Sequence, residues 1–209
     1  MTSTLVHLAI GALLAAALLE SEFDARALGV VLAATAFPDL DTFVGMVVLG
    51  THRAALHNAF VPLALGALIY HDVRHREDPF LATPRSVRLA WVAVAAYAFA
   101  GIGPDLFTNG ANLLYPIHDQ FVSLSGHLWW TDQRGLVQTL WEPASEGPRR
   151  TLRGTTETVH YATAVDPAPG PDPPAAERIV PVFDSGLQFL LIVLGVLVPA
   201  ERLRRARKA

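Results

Sequence analysis

The sequence predicts an all-α membrane protein of about five transmembrane helices, with an extramembrane subdomain of loops and short strands between the fourth and the fifth. Three observations predict it. The chain of 209 residues is 52% hydrophobic and only 17% charged, with a mean hydropathy of +0.35, which is too apolar for a soluble domain of this length. Its apolar residues gather in five runs: Leu5 to Leu19, Ala27 to Leu49, Leu56 to Tyr70, Val87 to Ile102, and Leu187 to Ala200. Its arginines gather as well, with Arg74, Arg76, Arg85 and Arg88 flanking the third and fourth runs, and Arg202, Arg204, Arg205, Arg207 and Lys208 after the fifth. The net charge of −3 leaves no basic field of the kind nucleic-acid binding needs. Without cysteine there are neither disulfides nor thiolate ligands, so any metal is held by His, Asp and Glu.

The first run reads as a retained helix and not a cleaved signal, because residues 1 to 6 carry no positive side chain. Most of the runs are shorter than the ~20 residues an ideal span needs, so flanking interfacial residues or a thin bilayer complete them. Cytoplasmic loops are rich in Lys and Arg, and five spans put both basic clusters on that side at once. The predicted topology is multi-pass, with the amino terminus outside, the loop around Glu20 to Arg26 inside, the short "GTHRAA" loop outside, residues 105 to 185 outside and the carboxyl terminus cytoplasmic. Three regions result: a four-helix membrane domain over 1–104, an outer-face subdomain over 105–185, and a terminal span with a basic tail over 186–209. Within the subdomain, residues 113 to 141 mix aromatic and β-branched residues with turn signals and read as a few short strands. From Glu142 to Asp184 the chain is rich in Pro and Gly, as in "DPAPGPDPP", and reads as extended loop.

Against this topology the polar residues His7, Asp39, Asp41, His52, Arg53, His57 and Asp105 stand out, because all of them fall toward the outer ends of their segments. Singly, each has an ordinary explanation: His7 as a packed histidine, His52 and Arg53 as an interfacial loop, Asp105 as a helix cap. The pair Asp39 and Asp41 is harder to explain away. An ionised carboxylate at the centre of a membrane helix costs about 2.5 to 3.5 kcal/mol on insertion scales, so the pair calls for cations. Pro38 predicts a break or kink just before them. A straight helix would point residues two apart about 200° away from each other, whereas a broken one can turn both inward. Six of these side chains, His7, Asp39, Asp41, His52, His57 and Asp105, form a candidate site for a divalent metal. Imidazole and carboxylate ligands suit Zn²⁺, Mn²⁺ or Fe²⁺ equally. His71 and His75 read as a solvated cytoplasmic loop. His118, His127 and His160 belong to the outer subdomain, with His118 near enough to Asp105 in sequence to act as a reserve ligand.

The order of these motifs, His7 followed by "AIG", then "FPDLD", "THRAALH" and "PDLFTNGANLLYP", resembles the YdjM-like family of membrane-bound proteins assigned as metal-dependent hydrolases, LexA-binding and inner-membrane-associated. The resemblance covers roughly residues 4 to 120, and "GANLLYP" with the later "RGLVQTLWE" looks most like archaeal members. It implies a helical membrane protein in which His7, Asp39, Asp41, His52, His57 and Asp105 match the family's polar positions. Two departures stand out. Gly101 occupies a position where the family commonly has a histidine, and a Thr-His pair reads Leu56-His57 here. Nothing in these residues recognises a repressor, so LexA binding is not carried over.

The resulting expectation is a membrane-bound metal-dependent hydrolase, acting on an ester or phosphoester of an amphiphilic substrate at the outer face of the bilayer. Asp41 serves as base or as the carboxylate that orients a ligand, and Arg53 pairs with an anionic group of the substrate. Two other classes compete. A cation- or proton-coupled transporter would use the same carboxylates and broken helix, but such sites lie near the midplane. A non-catalytic scaffold would use the cluster only to specify helix packing.

Overall fold

The structure is a computed structural model and describes residues 3–124, 126, 128–138 and 152–206. His127, residues 139–151 with the end of "RGLVQTLWE", and Arg207 and Lys208 lie outside the described residues. The chain is mostly helical. Helix α1 (Thr4–Leu18) is started by Ser3, whose side chain accepts a hydrogen bond from the Val6 amide. Helix α2 (Ala25–Ala36) is capped by Asp24 in the same way. A 3₁₀ turn at Pro38–Leu40 leads into the short α3 (Asp41–Gly45). After a loop come α4 (Phe60–His75) and α5 (Pro84–Ala96), the latter opened by a capping box between Thr83 and Ser86. A π-helical turn, Tyr97–Ile102, carries α5 into α6 (Gly103–Leu106). The last helix is α7 (Gly186–Ala206).

Two helical stretches are long and apolar enough to cross a membrane, Pro84–Leu106 and Gly186–Ala206. A third qualifies if Ala25–Ala36 and Pro38–Gly45, which meet at 44°, count as one broken span. The expectation of five spans is thus met only in part, for two physical reasons. With 15 residues, α1 is about 22 Å long, shorter than the ~30 Å hydrocarbon core. Helix α4 begins at Phe60 and not Leu56, and it ends in the polar sequence His71, Asp72, Val73, Arg74, His75. Its late start is local chemistry: Asn58 donates to the carbonyls of Ala54 and Ala55 and accepts from the amides of Phe60 and Val61, so the preceding residues form a tight loop. The bend at Pro38 falls where the ring removes an amide donor.

Small residues bring the helices together. A Cβ on Gly195 of α7 would lie 2.6 Å from the Ala9 backbone of α1, and one on Gly11 would lie 2.3 Å from the Thr35 hydroxyl of α2. One buried cluster, including Leu19, Phe23, Ala27, Val31 and Val92, joins α1, α2 and α5 near the arginine-rich end. There Arg88 pairs with Glu20 at 2.5 Å, Arg85 with Asp24, and Arg202 stacks on Phe23. Both basic clusters and the acidic α1–α2 turn therefore share one end of the bundle.

The opposite end carries the subdomain, built on two small antiparallel ladders. Strand β1 (Phe121–Val122) pairs with β4 (Leu152–Gly154), and β2 (Leu128–Thr131) pairs with β3 (Gly135–Gln138). The described part of the Pro/Gly-rich segment does not hang free. Asp166 is buried, Arg178 donates to the carbonyl of Ala164 at 2.8 Å, and the Ser3 hydroxyl donates to the Val182 carbonyl at 2.6 Å. This segment forms a roof over the start of α1, an arrangement its composition does not encode.

Candidate metal centre

The break at Pro38 ends α2 and starts α3 at Asp41, so Asp39 and Asp41 fall on a turn where both side chains reach the interior. Asp41 is completely buried. Its Oδ1 accepts from His52 Nδ1 at 2.8 Å, and its Oδ2 accepts from His57 Nδ1 at 2.9 Å and from the Leu56 amide at 3.2 Å. A carboxylate can only accept, so both imidazoles carry their proton on Nδ1. The Nε2 of His57 is then left 3.2 Å from Asp105 Oδ2 and 3.5 Å from Asp39 Oδ1.

His7 is turned in the same sense by a different partner. Its Nδ1 lies 2.6 Å from the carbonyl oxygen of Ala100, in the π-helical turn, which makes Nδ1 the protonated nitrogen. Its Nε2 is 3.5 Å from Asp105 Oδ1. One ligand atom each from His7, Asp39 and Asp105 lie within 4.8 Å of one another, so these three could hold a metal ion. Among the described residues, His57 Nε2 and both carboxylate oxygens of Asp105 are buried with no hydrogen-bond partner. Lone pairs therefore face carboxylate oxygens at close range. Such an arrangement is repulsive unless a cation or a proton lies between them, and the donor set fits a divalent ion.

Arg53 provides one fixed cation. Its Nη2 stands 2.9 Å from Asp105 Oδ1, in ion-pair contact but without the alignment of a hydrogen bond, while Nε and Nη1 have no partner among the described residues. Its backbone is in the left-handed region, at φ +63°, which a long side chain rarely adopts. The Asn112 amide donates to the Arg53 carbonyl at 2.9 Å and holds it there. Asn112 is fixed in turn by Asp119, to which its side chain donates at 2.6 Å. The guanidinium also lies 4.8 Å from the centre of the Tyr161 ring. Tyr161 donates to the Asn109 carbonyl at 2.7 Å, and burial pushes its hydroxyl above the usual phenol range.

All seven residues singled out in the sequence thus meet at one end of the bundle. His7, Asp39 and Asp105 form the closest group, His57 points into it, Asp41 stands behind His57 and His52, and His52 and Arg53 line an adjoining cavity. His57 lies in the loop before α4 and not in the helix itself. His118 is exposed on the turn after Tyr115 and is not part of the group, and His71 and His75 are exposed at the end of α4. Gly101 faces elsewhere: a Cβ there would lie 2.7 Å from the Thr35 carbonyl oxygen and 2.9 Å from Pro38. Leu56 contributes through its backbone, its amide binding Asp41 and its carbonyl accepting from the Tyr97 hydroxyl at 2.6 Å. Sequence reasoning missed Tyr161, Asn112 and the roof. Only the "GANLLYP" motif hinted at Asn112.

The cavity has a volume of about 450 Å³. It runs from Asp39, His52 and Arg53 past Thr42 to Leu5 and the roof residues around Ile179.

The fold and the site together define a helical membrane protein with a buried carboxylate–imidazole centre at one end of its bundle. The chain belongs to the YdjM inner membrane protein family, whose model matches residues 1–164. That match reaches further than the stretch from 4 to 120 and takes in every residue of the cluster together with Tyr161. It is to the family as a whole, and the leaning toward archaeal members is not borne out. No curated protein and no solved structure matches the chain.

Proposed function

We propose that this protein is a membrane-bound hydrolase that uses a divalent metal ion to cleave an ester or phosphoester of an amphiphilic substrate at the outer membrane face. The observation that carries the reading is the set of buried atoms without a hydrogen-bond partner, His57 Nε2 and both Asp105 carboxylate oxygens, beside His7 and Asp39. His7, Asp39 and Asp105 would hold the ion, with His57 beside them. A divalent ion bound there supplies Lewis-acid polarisation of the scissile group and makes water more acidic.

The chain's own residues do the rest. Asp41 holds His52 and His57 in one tautomer, so it acts as a positioning residue for both. His52, on the cavity wall with Nδ1 engaged by Asp41, presents Nε2 as the group that takes a proton from water. Arg53 balances the carboxylates and offers donors to a charged substrate. The roof between residues 160 and 184 keeps bulk water from the site.

In this reading all five helical segments lie in the bilayer, α2 and α3 as a broken span and α4 as a short one. The basic end is cytoplasmic, so the amino terminus and the subdomain 105–185 are outside, with 1–104 and 186–209 as membrane parts. The arginines gathered at one end support this orientation. The test is metal analysis of the purified protein by mass spectrometry, together with hydrolysis of a panel of carboxylic and phosphoric esters in detergent. About one ion per chain, lost in Asp105→Asn along with turnover, is the expected result. A metal-free protein would overturn the reading, and a loss of stability in Asp105→Asn with no change in metal content would then favour a scaffold.

A further inference from the structure

Resting on that reading, we infer that the substrate is a phosphate-bearing amphiphile that enters the cavity sideways from the bilayer, with its phosphate on Arg53 and its hydrocarbon chain between Leu5 and the Ile179–Val180 wall. The cavity is chemically mixed. Its lining combines Asp39, His52 and Arg53 with the apolar Leu5, Ile179, Val180 and Pro181, and carries the acidic Glu177 and Asp184 as well. The apolar lining residues are also outward-facing, with Leu5 46%, Ile179 62% and Val180 72% exposed. They lie at the amino-terminal end of α1 and just ahead of α7, where Phe183 and Leu187 are exposed too. Exposed apolar side chains beside a membrane helix are stable against lipid tails and costly against water. The mouth therefore opens at the outer boundary of the bilayer, where the segment just ahead of α7 meets lipid, and the molecule that fits it has a hydrocarbon part.

The polar lining specifies the other part. Arg53 is 2% exposed, and two of its donor nitrogens have no partner among the described residues, a costly state that a ligand relieves. Asp105 occupies only Nη2. A guanidinium with free donors matches phosphate oxygens. A neutral carboxylic ester would offer these donors only uncharged oxygens, whereas a phosphoester keeps a negative charge for them throughout. With a divalent ion beside Asp39 and Asp105, Arg53 also makes the three carboxylates of the centre neutral overall, so the centre itself does not repel an anion, while Glu177 and Asp184 stand elsewhere on the cavity wall.

The experiment measures binding by calorimetry to the full-length protein in nanodiscs, with dodecyl phosphate, inorganic phosphate and dodecanol as probes. Dodecyl phosphate is expected to bind at least about a hundredfold more tightly than phosphate, since burying a chain strengthens binding several-fold per methylene. It is also expected to bind about tenfold or more tightly than dodecanol. Val180→Asp, at an exposed position that folding tolerates, should remove most of the chain's advantage and leave phosphate binding within about twofold. Arg53→Gln should weaken both phosphate probes by about tenfold or more and leave dodecanol unchanged. Equal binding of dodecyl phosphate and dodecanol would overturn phosphate recognition, and equal binding of dodecyl phosphate and phosphate would overturn the lipid entry. If Arg53→Gln fails to fold, the wild-type probe series and Val180→Asp decide alone. Dodecyl phosphate that binds as expected while no phosphoester is ever cleaved would sink the hydrolase and leave the lipid slot standing. Cleavage of carboxylic esters without phosphate binding would do the reverse.

Discussion

His57 gives its Nδ1 proton to Asp41 across 2.9 Å, and this single bond decides what the other side of the ring can do. With Nδ1 committed, Nε2 faces Asp105 and Asp39 as a lone pair or as a charged N–H, and nothing else among the described residues meets it. Asp41 holds His52 by its other oxygen. An asparagine in its place would offer one acceptor and one donor, so it could keep only one of the two rings in its present tautomer. Asp41→Asn should therefore weaken metal binding by about 10- to 100-fold without changing the fold. Metal titration in detergent, followed by calorimetry, checks this; affinity within about twofold of the parent protein would show that Asp41 does not position the ligands.

Removing the ion should destabilise the membrane domain. Without it, the ligand atoms of His7, Asp39, His57 and Asp105 crowd together in a largely buried space, with His57 Nε2 and the Asp105 oxygens unpartnered. An ion present at a hundredfold excess over its Kd adds about 2.7 kcal/mol. Chelation should thus lower Tm by about 5–10 °C, and re-adding the divalent ion should restore it. A chelated protein that melts at the same temperature would count against a bound metal.

The family resemblance leads one to expect a histidine at Gly101, yet its missing side chain points at the Thr35 carbonyl and Pro38. Gly101→Ala is expected to cost about 1–3 kcal/mol, because backbone and a proline ring cannot move aside cheaply. Gly101→His should cost at least as much and add no ligand. Thermal unfolding and metal stoichiometry measure the two effects, and a higher metal capacity in Gly101→His would refute the geometry.

Asn112 supports the strained Arg53 from outside the cluster. Its side chain donates to Asp119 and accepts from the Gln120 amide at 3.2 Å, while its own amide holds the Arg53 carbonyl. Asn112→Ala removes the side-chain bonds and should destabilise the protein by about 1–3 kcal/mol. Hydrogen exchange should rise in residues 51–57 before it rises in α5. Uniform exchange across both would place Asn112 in the general packing and not in support of the loop.

Much of this site was legible in the sequence because a membrane environment makes polar residues conspicuous. Asp39 and Asp41 beside Pro38, in a chain where charge is costly, announced both a break and a need for positive partners or a cation. His7, His52, Arg53, His57 and Asp105 could be assigned to one depth by counting along apolar runs. The arginines of the basic end could be placed together by the charge rule, and the structure gathers Arg85, Arg88 and Arg202 around Glu20 and Asp24.

Other features depended on contacts that no local pattern records. Whether α1 and α4 read as full spans turned on where loops take residues from helix ends, as Asn58 does before Phe60. The division of labour between Asp39 and Asp41 was set by which histidines folded against them, and the orientation of His7 by a carbonyl 93 residues away. Gly101 looked like a lost ligand until the backbone of α2 was seen against it. The roof over the cavity, tied to the bundle by Ser3 at Val182 and by Thr42 at Thr163, has a composition that favours loop, and loop composition fixes no position in space. By itself the sequence determined that polar groups must be satisfied at one end of a helical membrane protein. Only the tertiary structure decided which atoms satisfy which, because hydrogen bonds and ligand geometry act over about 3 Å between residues that lie far apart along the chain.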